Sequence, residues 1–342
     1  MRFLDRIPAS AAVDQAVEQT RRFGQGRAAG FVNAVLRKAT RDPAPPLPAR
    51  DAPADYARLV LSHPAELVQK LAKLLGPAGA LLFCEHDQLE PPTIARLGHG
   101  IDPSTLQGGG ITATPHDQPG MYVIGGAKRA HLADWAARGI AQVQDPTAAA
   151  VVPHVDAEPG QLVLDRCCGL GTKTLQLRDA VGERGRVMAV DPAEPRCRGL
   201  QRLLDERRID NVDVRCAGWL RDVTDAPADG FDRVLADVPC SNSGVLARRP
   251  EARYAQTPQA LRSLAKLQDQ ILADTAPTVK PGGLLIYSTC SVWPEENRQR
   301  VDAFLKQHSD FELLDDAATL PSFDHAPNHY RDGGYYAVLR RK

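Results

Sequence analysis

The chain has 342 residues, 43% hydrophobic and 25% charged, with 42 basic side chains against 42 acidic ones. That length and apolar content allow a sizeable core and about two domains, and no internal repeat or long low-complexity run interrupts them. A net charge of zero gives no broad basic surface, so any nucleic-acid role has to rest on local clusters. Neither a run of about eighteen apolar residues nor a basic and then apolar leader is present, which points to the cytoplasm and to no membrane partner. The seven cysteines, Cys84, Cys167, Cys168, Cys197, Cys216, Cys240 and Cys290, are odd in number and lack C-x-x-C spacing. They read as reduced thiols, and no metal site is expected.

In chain order, Ser10 is expected to cap a helix with Val13, Ala16 and Val17 on one face. A second helix carries Phe31, Val32, Val35 and Leu36, with Arg37 and Lys38 towards solvent. These form a short helical region over 1–41. Asp42 to Pro53, with five prolines, reads as a linker spanning 42–56. Leu67, Leu71 and Leu74 then recur at helix spacing, and short strands follow around Thr93 to Leu97 and Met121 to Ile124. This is a small α+β module over 57–138, in which Gly108 to Gly110 form a turn.

After Gly160, apolar strands alternate with amphipathic helices: Gln161 to Asp165, Arg186 to Asp191, Asn211 to Arg215, Arg233 to Asp237 and Leu284 to Ser288. That alternation predicts a doubly wound α/β sheet over 139–342. One intervening helix opens on Thr257 and Pro258, as cap and first residue. Ligands of such sheets bind at the carboxyl ends of the strands.

The first of these strands runs into Cys167-Cys168-Gly169-Leu170-Gly171-Thr172-Lys173, and the second ends in Asp191, suited to the hydroxyls of a ribose. The glycine turn alone is weak evidence, since small residues also serve close packing. Asp237 and Cys240 follow the fourth strand and Cys290 the fifth. A single cysteine there reads as a small buried hydrophobe; two beside a cofactor-like loop point to chemistry.

Asp165-Arg166-Cys167 through Lys173-Thr174, Asp237-Val238-Pro239-Cys240-Ser241, Arg248-Arg249-Pro250-Glu251, and Ser288-Thr289-Cys290-Ser291 with Glu295-Glu296-Asn297 resemble the bacterial ribosomal RNA cytosine-C5 methyltransferases of the RsmB and Sun group. The resemblance runs from about Gly139 to the C-terminus and takes in Gln144-Asp145 and Asp332-Gly333. Fainter likeness precedes it, Arg6 to Lys38 resembling part of a NusB-like domain. It implies a Rossmann-like class I methyltransferase, a monomer that transfers a methyl group from S-adenosylmethionine to C5 of a cytosine in ribosomal RNA. Cys290 would attack C6, because C5 takes up a methyl group only after a thiolate has added. Cys240 would assist elimination, and Asp237 would face N3 and N4 of the base. Residues 167–173 and Asp191 would hold the cofactor, together with Asp237. Arg248, Arg249 and Arg253 would bind phosphates. Lys173 either caps a turn or approaches the base. Glu295, Glu296 and Asn297 either favour a helix dipole or order the Cys290 turn.

Three departures from the family stand out. Cys168-Gly169-Leu170-Gly171-Thr172 replaces the usual alanine, alanine, proline, glycine, glycine. Gly218 stands where an adenine-facing aspartate is expected, with Asp222 as a substitute. The N-terminal region is short. These motivate a second reading, a non-catalytic RNA-binding protein on the same fold. A nucleotide-dependent dehydrogenase would leave the paired cysteines unexplained and lacks G-x-G-x-x-G.

Overall fold

The computed structural model describes residues 6–42, 46–223, 227–324 and 326–342, and its chain divides into two compact units, Met1–Ala52 and Pro53–Lys342. The division falls inside the proline-rich stretch, of which residues 43–45 lie outside the described residues. The first unit contains the helices Ala9–Arg22 and Ala29–Arg41, which bury Val13, Val17 and Ala29 against each other. Ser10 does not cap the first of them: the helix begins at Ala9, directly after Pro8, so Ser10 already lies within its first turn.

The second unit opens with two short helical pieces, Pro53–Asp55 and Tyr56–Val60, before the 22-residue helix Ala65–His86, long and apolar enough by composition to cross a membrane. Gly76, at φ 74°, kinks it, and Leu67, Leu71, Phe83 and Cys84 pack on Leu246 and Trp293 from the larger domain. Next come four short antiparallel strands, β1 (Thr93–Leu97), β2 (Thr112–Pro115), β3 (Met121–Gly125) and β4 (Ala141–Val143), in the order β2-β3-β1-β4. Because β4 pairs with β1, this module runs to Val143 and not to 138. The three glycines Gly108, Gly109 and Gly110 all have positive φ and form the turn before β2.

The larger sheet contains β5 (Leu162–Asp165), β6 (Arg186–Asp191), β7 (Val212–Cys216), β8 (Phe231–Asp237), β9 (Val279–Thr289), β10 (Phe311–Thr319) and β11 (Gly334–Arg341). Its order is β10-β11-β9-β8-β5-β6-β7; β5 to β9 are parallel, and β11 and β10 close one side as antiparallel strands. The expected strands are all present within a few residues. Their alternation is visible in burial: Val234 and Ala236 of β8 and Leu285 and Tyr287 of β9 join the core on one face, while Leu235 and Ile286 join the other. Thr257 caps the helix Pro258–Thr275 through the Ala260 amide. The chain leaves β5 for β6 and β7 and returns on the opposite side with β8, so the strand ends of β5 and β8 flank the switch point where such sheets bind ligands.

The turn from β5 to the helix Thr172–Val181 depends on Gly171. Its φ is 85°, its amide donates to the Cys168 carbonyl, and a Cβ there would fall 2.3 Å from Leu200 Cδ1 in the buried face of the helix Glu194–Arg207. Gly171→Ala is expected to cost about 2–4 kcal/mol, from the left-handed backbone plus overpacking of Leu200. A lower denaturation midpoint in urea would show it.

Candidate active site

The strands β8 and β9 run side by side and end in polar turns, which brings Cys240 Sγ within 3.1 Å of Cys290 Sγ although fifty residues separate them. Both thiols line a cavity of about 460 Å³, within the size range of small-molecule sites. The contact with Cys290, and then burial, hold the Cys240 thiol well above its ordinary pKa. Cys290 Sγ also donates to Asn242 Oδ1 at 3.2 Å.

A lysine–aspartate pair faces the same cavity. Lys173 Nζ lies 2.6 Å from Asp237 Oδ2, while Ser288 Oγ donates to Asp237 Oδ1 at 2.7 Å. Burial opposes the charge on Lys173, but Asp237, Cys290 and Asp165 outweigh it and keep the ammonium above its ordinary pKa. Lys173 is thus paired at the cavity wall.

The two cysteine turns are tied together by Glu296, whose side chain is fully buried. It accepts from the Ser241 amide at 2.9 Å, from Ser241 Oγ at 2.5 Å, from Ser291 Oγ at 2.6 Å and from Gln268 Nε2 at 3.1 Å. Asn297 completes the arrangement, donating to the Ser291 carbonyl and accepting from Thr289 Oγ1. Both residues precede the helix, which starts only at Arg298, so they order the turns and do not occupy its first turn. Glu295 instead pairs with Lys70 at 3.0 Å. Gly244 lets three backbones meet: its amide donates to the Cys290 carbonyl and its carbonyl accepts from Gly333. A Cβ there would fall 2.4 Å from the Gly333 oxygen.

Of the segment 167–173, Cys167 and Lys173 line the cavity and the five residues between them do not. Cys168 is buried in the core beside the sheet, Leu170 is 67% exposed, and Gly169 donates its amide to Asp191 Oδ2 at 3.0 Å. Gly171 and Thr172 form the start of the helix. Burial pushes the Cys167 thiol up to about 12. Asp191 lines the cavity, and its Oδ1 accepts from the Ala193 amide. Neither Gly218 nor Asp222 is part of the cavity wall; the Gly218 carbonyl accepts from Arg166.

Two of the three arginines expected at phosphates are committed elsewhere. Arg253 is buried and donates to the Asp87 carbonyl, because the short helix that carries it turns inward against the helix Ala65–His86. Arg248 pairs with Asp332 at 2.7 Å and Asp145 at 3.7 Å and lies over the Tyr330 ring. Arg249 alone of the three lines the cavity. Burial and the neighbouring Asp145 raise the carboxyl of Asp332 to about 7, against the pull of Arg248. Asp145 and Asp332 form one cluster, joined by the Asp332 amide donating to Asp145 Oδ2 at 3.0 Å and by Arg248 between their carboxylates.

The comparisons with known proteins agree with this architecture. A family described as 16S rRNA methyltransferase RsmB/F matches residues 152–339, and the NusB family matches residues 1–41. Ribosomal RNA small subunit methyltransferase B of Vibrio cholerae is 32% identical over 344 residues, covering 98% of this chain and 78% of that protein. The protein of the same name from Yersinia enterocolitica is 30% identical, covering 98% and 79%. Among solved structures, NSun6 from Pyrococcus horikoshii with SFG shares the fold at a TM-score of 0.68 and 16% identity, over 81% of this chain and 98% of that one. With the sheet, the paired thiols and these matches taken together, the chain belongs to the RsmB/F family of 16S rRNA methyltransferases.

Proposed function

We propose that the chain methylates C5 of a cytosine in ribosomal RNA through a covalent adduct on Cys290. The observation that carries this reading is the pair of thiols 3.1 Å apart, in a cavity that also holds the Lys173–Asp237 pair. An enzyme of this family draws its methyl group from S-adenosylmethionine, which supplies it as a sulfonium-bound electrophile. The residues present suit that cofactor: the Asp191 carboxylate can accept from ribose hydroxyls, and Cys167 borders the same cavity.

Addition of the Cys290 thiolate forms an S–C6 bond and moves the C5=C6 electron pair towards C5 and the ring nitrogens. Asp237, braced by Lys173 and Ser288, would accept from the N4 amino group at the N3 and N4 edge of the base, while the Lys173 ammonium offsets the negative charge of the adduct. Once C5 carries both hydrogen and methyl, loss of the hydrogen as a proton returns its electron pair to C5=C6 and expels Cys290 as thiolate. Cys240 is assigned that proton. In the free protein its contact with Cys290, and then burial, raise its pKa; bonding of Cys290 to carbon removes the first of these. A stacked base has to leave its stack to reach these groups. Arg249 at the wall suits a flanking phosphate.

RNA carrying 5-fluorocytosine, which cannot lose fluorine from C5 as a proton, should trap the protein as a gel-stable complex in the presence of cofactor. Cys290→Ala is expected to abolish trapping and to lower turnover on the order of 10³-fold or more; undiminished trapping would refute the assignment. Cys240→Ala is expected to accumulate the covalent complex with ordinary RNA, and rapid release from that variant would remove its role in elimination. Calorimetry with S-adenosylmethionine separates this reading from a non-catalytic RNA-binding protein, which would give no heat at millimolar cofactor.

A further inference from the structure

We propose that Asn242 is a positioning residue that fixes the direction of the Cys290 thiol by bridging it to the backbone of the Cys240 turn. This rests on Cys290 being the nucleophile. Asn242 Oδ1 accepts from Cys290 Sγ at 3.2 Å, and its Nδ2 donates to the Cys240 carbonyl at 3.3 Å. Its side chain therefore joins the turn after β8 to the sulfur at the end of β9, and it lines the cavity where the base would enter.

The backbone supports a side-chain role. Asn242 has φ 59°, one of only four non-glycine residues with positive φ among the described residues. Glycine satisfies such a position at no steric cost, and asparagine is tolerated there at some cost. Nothing about the turn itself requires a side chain, since its closing bond runs from the Val245 amide to the Asn242 carbonyl. The two side-chain hydrogen bonds are what the asparagine adds over glycine.

The other groups that act on Cys290 do not set its direction in the same way. Cys240 Sγ touches it at 3.1 Å, Lys173 acts on it through charge, and Lys173 is itself held by Asp237. Glu296 lies behind the turn and is occupied by Ser241, Ser291 and Gln268. Asn242 is the amide partner of the sulfur. An acceptor oxygen beside a thiol favours the protonated form and holds the S–H bond in one direction. Its removal should therefore leave Cys290 easier to ionise yet less well aimed at C6.

Those two effects run in opposite directions, which gives the test. Site-resolved alkylation of the free protein by iodoacetamide, read by mass spectrometry on the Cys290 peptide, follows ionisation across pH without RNA or cofactor. In Asn242→Gly the pH of half-maximal alkylation should fall by up to about one unit, the size of one lost hydrogen bond. In Asn242→Asp it should rise, because a carboxylate then faces the sulfur. Trapping by 5-fluorocytosine RNA should slow about tenfold in Asn242→Gly, with the RNA concentration for half-saturation unchanged. Relief of the positive φ opposes the loss of the two hydrogen bonds, and a thermal melt of the variant close to that of the parent excludes unfolding as the cause of slower trapping. An unchanged alkylation profile, or trapping at the parental rate, overturns the proposal. If the parent itself fails to trap, it is the covalent reading that falls, and alkylation still reports separately on the Asn242 contact.

Discussion

Glu296 is a carboxylate with no exposed surface, and burying such a group is tolerable only if its lone pairs are filled. Two turns fill them, one from each of two neighbouring parallel strands: Ser241 through both its amide and hydroxyl, and Ser291 through its hydroxyl, with Gln268 reaching in from the helix beneath. Because the same turns carry Cys240 and Cys290, satisfying the buried charge also sets the separation of the two sulfurs. The parallel sheet gives the coarse placement, through the register of Asp237 with Ser288, and the carboxylate gives the fine one. Precision of this kind, from hydrogen bonds behind the reacting groups, is what a covalent site needs.

Much of this could be read from residue order. The strands stand out because apolar residues recur with turn residues between them, and the doubly wound pattern forces Asp191, Asp237, Cys240 and Cys290 towards the same end of the sheet. Less legible was anything decided by which way a side chain turns. Arg248, Arg249 and Arg253 follow one another closely across a turn and the short helix Pro250–Ala255, too brief for a periodicity that distinguishes inward from outward. The structure sends Arg253 to the Asp87 carbonyl and Arg248 to Asp332 and Asp145, leaving Arg249 at the cavity. Glu296 was hidden for a related reason: acidic residues ahead of a helix already have an ordinary explanation in the dipole, and only tertiary contacts separate the two roles. The short strand β4 has three residues and no alternation, so the edge of the small module was placed five residues early.

The balance of charge in the sequence also takes on a structural meaning. Several cations lie inside the fold, paired or bonded to carbonyls: Arg166 with Asp274 and Gly218, Arg248 with two aspartates, Arg253 with a backbone oxygen. Counting formal charges treats these as if they were available to a polyanion. The basic groups that line the cavity are few, Arg249, Arg196, Arg331 and Lys173, and of these Arg196 is paired with Asp191, Arg331 with Asp117 and Lys173 with Asp237. Recognition at this wall thus draws on a handful of placed cations and not on a field of them.

The closeness of Gly244 and Gly333 bears on when the site comes into being. Gly333 donates to the Gly244 carbonyl and leads directly into β11, which is inserted between β9 and β10 inside the sheet. The turn that carries Cys240 therefore gains its last backbone partner only when a strand emerging nearly a hundred residues later from the ribosome has threaded between two others. Contacts of such long sequence separation form late. The two thiols are already brought together by β8, β9 and the Glu296 contacts, and what β11 adds is the last backbone hydrogen bond that holds the Cys240 turn.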